Sequence, residues 1–157
     1  MNAATENLMP ESKPKADASL IVRRTYPVPP ARLLKAWSDP ADLMKWFGPQ
    51  GLDTPVAEID FRVGGRYRFG MRPLPDGELI FVNGEYREIG PARIQFTWSF
   101  EKPGEARDTL VTIDFREVPG GSELVLMHEL FATEKQRQGH QTGWTGILEK
   151  LAISLNQ

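Results

Sequence analysis

One segment constrains this chain's fold more than any other. From Arg93 to Glu101, Ile94, Phe96, Trp98 and Phe100 alternate with Arg93, Gln95, Thr97 and Ser99. A period of two places successive side chains on opposite faces of an extended strand, one face to bury and one to leave wet. Such a strand needs neighbours in a sheet and a second layer over its apolar face. The remaining sequence supplies both. Period-two or β-branched segments run from Leu20 to Tyr26, Thr54 to Phe61, Arg66 to Arg72, Glu78 to Ile89, Thr109 to Val118 and Glu123 to Phe131. Turn formers separate the later ones: Gly64-Gly65, Pro73 to Gly77, Gly90-Pro91 and Pro119-Gly120-Gly121. Strands joined this closely form an antiparallel meander.

The second layer is a helix. Thr133 is a good N-cap, and Glu134 suits the first turn. His140, Trp144, Ile147, Leu148, Leu151 and Leu155 recur at three- and four-residue steps and form one stripe. At ~1.5 Å per residue, a helix from Thr133 to Leu155 is on the order of 33 Å long, enough to cross a sheet. Two short helices are expected between the first two strands. One runs from Ala31 to Ser38, with Pro30 in its first turn and Leu33, Leu34 and Trp37 on one face. The other starts at Pro40 behind the Asp39 cap, buries Leu43, Met44, Trp46 and Phe47, and stops at Gly48-Pro49. The expected architecture is α+β: a curved antiparallel sheet of about seven strands wrapped around a long C-terminal helix.

Composition narrows the function classes. The 157 residues are one domain's worth. Residues 1–18 are poor in large apolar side chains and read as a flexible tail, leaving 19–157 as a single domain. The absence of cysteine removes disulfide scaffolds, zinc ribbons and thiol nucleophiles. A formal net charge of -2 provides no basic excess for a nucleic-acid backbone. No apolar run approaches ~18 residues, so no membrane span is expected. The N-terminus lacks a basic-then-apolar pattern, making a cytoplasmic location the default.

Candidate chemistry is sparse. His128 and His140 are the two histidines. Strand alternation puts His128 inward with Leu124 and Leu126, and His140 lies one turn before Trp144. Both point toward one space, as polar handles for a ligand or as satisfied core residues. They lack the partners and spacing of a metal site. Among strand carboxylates, alternation turns Asp114 outward, while Glu85 beside Gly84 is subject to a bulge. No paired carboxylates, no GxSxG elbow and no phosphate loop are present, so no cofactor is implied. Arg66, Arg68 and Arg72 share one side of a strand, a solvated face balanced by neighbouring acids or a surface for an acidic partner. The inward set is bulky: Trp37, Trp46, Phe47, Tyr67, Phe69, Tyr86, Phe96, Trp98 and Trp144, with Met71 and Leu148. Rigid rings of this size line a cavity or fill it. Gly143 beside Trp144 costs up to ~1 kcal/mol of helix propensity relative to Ala, which points to a packing or cavity reason.

Seven motifs in order resemble a known family: Trp37-Ser38-Asp39-Pro40, Trp46-Phe47-Gly48-Pro49, Phe61-Arg62-Val63-Gly64-Gly65-Arg66-Tyr67-Arg68-Phe69, Gly84-Glu85-Tyr86-Arg87-Glu88-Ile89, Phe96-Thr97-Trp98, Leu124-Val125-Leu126-Met127-His128-Glu129 and His140-Gln141-Thr142-Gly143-Trp144. Together they are similar to the helix-grip fold of the START-like, or SRPBCC, superfamily, in the group related to the C-terminal domain of the activator of the heat-shock-protein ATPase. The resemblance implies that fold and an internal hydrophobic cavity. It implies little about activity, because one fold hosts many functions. Three roles follow as expectations. The first is binding of a small hydrophobic or aromatic molecule between sheet and helix, by the bulky inward set with Met71 and Leu148, together with His128 and His140. The second is a protein-interaction module with a chaperone-like partner and a part in the stress response. The third is a polyketide cyclase-like enzyme. A monomer or homodimer suits all three.

Overall fold

The computed structural model describes residues 18–103 and 107–156. The expected N-terminal tail lies almost wholly outside the described residues. The elements run β1 (Leu20–Tyr26), α1 (Pro30–Ser38), α2 (Pro40–Leu43), β2 (Leu52–Ile59), β3 (Arg66–Pro73), β4 (Ile80–Ile89), β5 (Arg93–Phe100), β6 (Thr109–Val118), β7 (Gly121–Glu129) and α3 (Glu134–Leu155). All seven strands belong to one antiparallel sheet in the order β1-β7-β6-β5-β4-β3-β2. Six strands follow one another as a meander, and β1 returns to the far edge beside β7. The sheet curls into a half-barrel around α3, so the α+β architecture read from the sequence is the one observed.

Alternation sets the concave face. On β3 it presents Tyr67, Phe69 and Met71, on β5 Ile94, Phe96 and Trp98, and on β7 Leu124, Leu126 and His128, all buried. The β7 register places Leu126 opposite Ile113 and His128 opposite Val111. Helix α3 covers this face with Trp144, Ile147, Leu148 and Leu151, all buried. Burying each such side chain contributes roughly 1.5–3 kcal/mol. Its N-cap is Thr133, whose hydroxyl accepts from the Gln136 N–H.

Polar ties hold the helix in place. The buried Tyr26 hydroxyl donates to the Leu148 carbonyl at 2.8 Å. Burial pushes its pKa up, so it stays a donor. Lys150 Nζ donates to the carbonyls of Gly48, at 3.0 Å, and Leu52, at 2.8 Å. These bonds fasten the segment entering β2 to the last turns of α3.

The second short helix departs from expectation. α2 is four residues long, and the chain continues through Trp46 as turns. The Lys45 and Trp46 N–H groups bond three residues back, to Asp42 and Leu43. This tightening turns the adjacent rings of Trp46 and Phe47 inward together, and both are fully buried. Met44, expected on the apolar face, is 40% exposed instead. Asp42 is buried, and Arg32 and Lys35 of α1 neutralise it at 2.9 and 3.1 Å.

The outer face is a lattice of charge pairs. Arg68 engages Glu101, Arg72 engages Asp53, Arg93 engages Asp114 and Arg116 engages Glu123. Asp114 therefore faces outward as alternation requires, and the strand arginines are mostly balanced. The irregularity anticipated near Gly84 falls between Tyr86 and Glu88, where the β4–β5 register shifts.

Candidate functional site

The inward aromatic set divides in two. At one end the rings fill the space between sheet and helix. Trp37 packs edge-on against Trp46 at 4.7 Å, and Tyr67 lies 4.7 Å from Phe69 and 5.3 Å from Phe96. The void left among Trp37, Tyr67, Phe69, Tyr86, Ile94 and Phe96 is about 10 Å³, at the margin for one water molecule. Here Tyr67 bonds the Thr97 carbonyl, and Gly84 permits the approach, since any Cβ at Gly84 collides with that carbonyl and with the Tyr67 ring. Burial raises the pKa of Tyr67 well above the usual phenol value.

At the other end the space is open. A cleft of about 550 Å³ lies between the first four turns of α3 and strands β3 and β5. Its walls are Met71, Trp98, Phe100, Trp144, Ile147 and Pro49, and its polar edge is Thr133, Lys135, Gln136 and His140. Gly139 and Gly143 form part of the wall on the helix side. A Cβ at Gly143 would find only Pro49, at 3.7 Å, and at Gly139 nothing within 4 Å. These glycines leave room rather than permit close packing. A smaller hollow of about 80 Å³ adjoins the cleft, shares Trp98, Phe100, Gln136 and His140 with it, and extends to Arg107 and Thr109.

His128 sits behind this wall, fully buried. The Trp144 indole N–H donates to His128 Nδ1 at 3.0 Å, which puts the ring proton on Nε2. Nε2 in turn donates to Thr109 Oγ1 at 2.6 Å, and the Thr109 hydroxyl donates to the Trp98 carbonyl at 2.9 Å. The chain of bonds ties α3 to β7, β6 and β5. Burial, helped by nearby His140, holds the His128 pKa well below the ordinary histidine value, so the ring is neutral near pH 7. His140 is half-buried, and its Nδ1 lies 2.8 Å from the Gln136 carbonyl. The two imidazole rings are 5.1 Å apart.

Of the sequence candidates, Met71, Trp98, His140 and Trp144 line the cleft. Trp37, Tyr67, Phe69, Tyr86 and Phe96 surround the small void. Trp46, Phe47, His128 and Leu148 are fully buried in the core. Sequence reasoning passed over Phe100, Gln136, Gly139 and Ile147 as candidates. The helical ones were readable, because positions 136, 139, 140, 143, 144 and 147 follow one face at steps of three and four. Among the described residues no group of three or more His, Cys, Asp or Glu side chains is placed to hold a metal ion. No helix among them is long and apolar enough to cross a membrane.

Comparison with known proteins agrees with this architecture. A crystal structure of a Chromobacterium violaceum protein shares 30% identity, covering 87% of this chain and 95% of that one, with a TM-score of 0.81. The AHSA1 protein of Silicibacter pomeroyi, also 30% identical, covers 88% and 98%, with a TM-score of 0.78. A Nitrosomonas europaea protein at 22% identity shares the fold with a TM-score of 0.77, covering 92% and 97%. No curated protein matches the chain. Residues 27–156 match the family model described as activator of Hsp90 ATPase homolog 1-like protein, and the chain belongs to that family, within the SRPBCC superfamily.

Proposed function

We propose that the protein binds a small hydrophobic or aromatic molecule in the cleft between the first turns of α3 and strands β3 and β5. The cleft itself carries this reading. Its volume of about 550 Å³ falls within the ~300–1,000 Å³ of small-molecule sites, and rigid aromatic walls meet a few polar groups at one edge. The supporting test is saturable binding. Trp98 and Trp144 form the wall, so an occupant changes tryptophan emission, and binding to the folded state alone raises the melting temperature. Gly143→Leu places a side chain in the open cleft and should abolish both signals while the protein remains folded. If a broad panel of apolar compounds produces neither signal in the wild-type protein, the proposal fails.

A second reading, a protein-interaction module with a chaperone-like partner, has one local observation in its favour. Leu74, Leu79 and Ile80 cluster at the β3–β4 connection and are 55%, 43% and 38% exposed. Here the Leu74→Asp, Leu79→Asp double variant should lose partner capture, whereas Gly143→Leu should retain it.

A further inference from the structure

We infer that the occupant of the cleft is an amphiphile with one anionic head, an aryl or alkyl carboxylate, whose head lies at Lys135 and Arg107. The inference rests on the binding reading above and adds the chemical class of the ligand. Two hollows share one wall and meet at Gln136 and His140. The formally charged side chains lining them are both cations: Lys135 on the larger and Arg107 on the smaller. Among the described residues no carboxylate lines either.

The distribution departs from the rest of the molecule. The chain as a whole is acidic, at -2, and the sheet's outer arginines are largely paired with carboxylates. Lys135 and Arg107 have no carboxylate within salt-bridge distance among the described residues. Two adjoining hollows that share an apolar wall, each lined by one cation and, among the described residues, by no carboxylate, match an apolar body ending in a negative charge. A guanidinium takes a carboxylate through two parallel N–H bonds, and an ammonium adds a point charge. A neutral ligand of the same shape would offer neither cation a counter-charge. A cationic amphiphile would be repelled by them.

The test compares matched probes on the full chain by isothermal titration calorimetry: 2-naphthoate against 2-naphthamide, and decanoate against decan-1-ol. Each carboxylate should bind about tenfold more tightly than its neutral match at low salt, the factor that one good charged contact supplies. The advantage should shrink at high salt, because the rim is solvent-facing. In the Lys135→Gln, Arg107→Gln double variant it should fall to within about twofold, with the neutral probes' affinity unchanged. Both substitutions are on exposed side chains, and an unchanged melting temperature confirms folding. Neutral probes binding as tightly as carboxylates would overturn the anionic head while leaving the cleft reading intact. A carboxylate preference that survives in the double variant would overturn the assignment to these two residues. If neither carboxylate binds the wild-type protein while neutral apolar compounds give the tryptophan signal, the anionic head is overturned; if no probe binds and the tryptophan signals fail as well, the cleft reading falls and this inference with it.

Discussion

The Trp144 indole donates its proton to Nδ1 of His128 at 3.0 Å, and both side chains are buried. This bond joins the middle of α3 to the sheet from inside the core. It also sets which imidazole nitrogen carries the proton, so the Thr109 bond on the other side depends on it. Trp144→Phe removes the donor and leaves Nδ1 without a partner. His128→Phe keeps an aromatic ring but strands the Trp144 indole N–H and removes the donor to Thr109 Oγ1, whose own hydroxyl still reaches the Trp98 carbonyl. A buried polar group left unpaired costs about 1–3 kcal/mol. His128→Phe should therefore destabilise by about 3 kcal/mol and Trp144→Phe by about 2 kcal/mol in urea unfolding. The double variant should fall short of the sum, since the two residues share one bond.

The same histidine makes stability depend on pH. Its folded pKa is depressed by burial and by His140. The unfolded chain therefore binds a proton in a range where the native state does not, and stability rises with pH there. Stability is fully present above the unfolded value, about 6.5, and is lost as pH falls below it, by up to about 1.4 kcal/mol per unit for one proton. Unfolding free energies measured between pH 7.5 and 5 should show this slope in the wild-type protein and a much smaller one in His128→Phe. Glu134, held near 2 by Arg137 and Gln138, acts in a separate window, below the ordinary carboxylate value.

Two glycines should respond in opposite ways to alanine. Gly143 lies in a helix with open space beside it, so Gly143→Ala should stabilise by up to about 1 kcal/mol through helix propensity alone. At Gly84 the new Cβ meets the Thr97 carbonyl across the β4–β5 pair. Because the obstacle is backbone, relief requires parting the strands. Gly84→Ala should cost at least about 3 kcal/mol, in line with severe core overpacking. Paired thermal melts give both signs.

Lys150 offers a test of how the segment entering β2 is fastened. Its Nζ donates to two backbone carbonyls, and burial lowers its pKa. Lys150→Met keeps much of the aliphatic stem and leaves both carbonyls without that donor. Hydrogen bonds to a charged group are worth about 1.5–3 kcal/mol, so a loss of about 2 kcal/mol is expected. Amide hydrogen exchange should accelerate over residues 48–52 before it does in β5 or β6.

Strand alternation was strong enough to be read without coordinates. Val111, Ile113 and Phe115 of β6 and Tyr67, Phe69 and Met71 of β3 are buried as their spacing requires. The α3 stripe was equally plain, because helical period is a local property. The division of the aromatic residues was not. Trp98 and Phe96 lie two positions apart on the same face, yet one borders a cleft of about 550 Å³ and the other a void of about 10 Å³. That difference depends on what α1 and the turn after α2 insert opposite them, namely Trp37, Trp46 and Phe47.

The role of His128 was also left open by the sequence. Inward placement followed from its parity with Leu124 and Leu126, but a ligand handle and a core tie have the same local pattern. The choice was made by Trp144 and Thr109, 16 and 19 residues away along the chain. The amino-acid order alone determined the order of the elements and their faces, because these depend on neighbours within a few residues. Which rings touch, which nitrogen is bonded and where space remains were decided only when distant segments packed, because volume and hydrogen-bond partners are shared across the whole core.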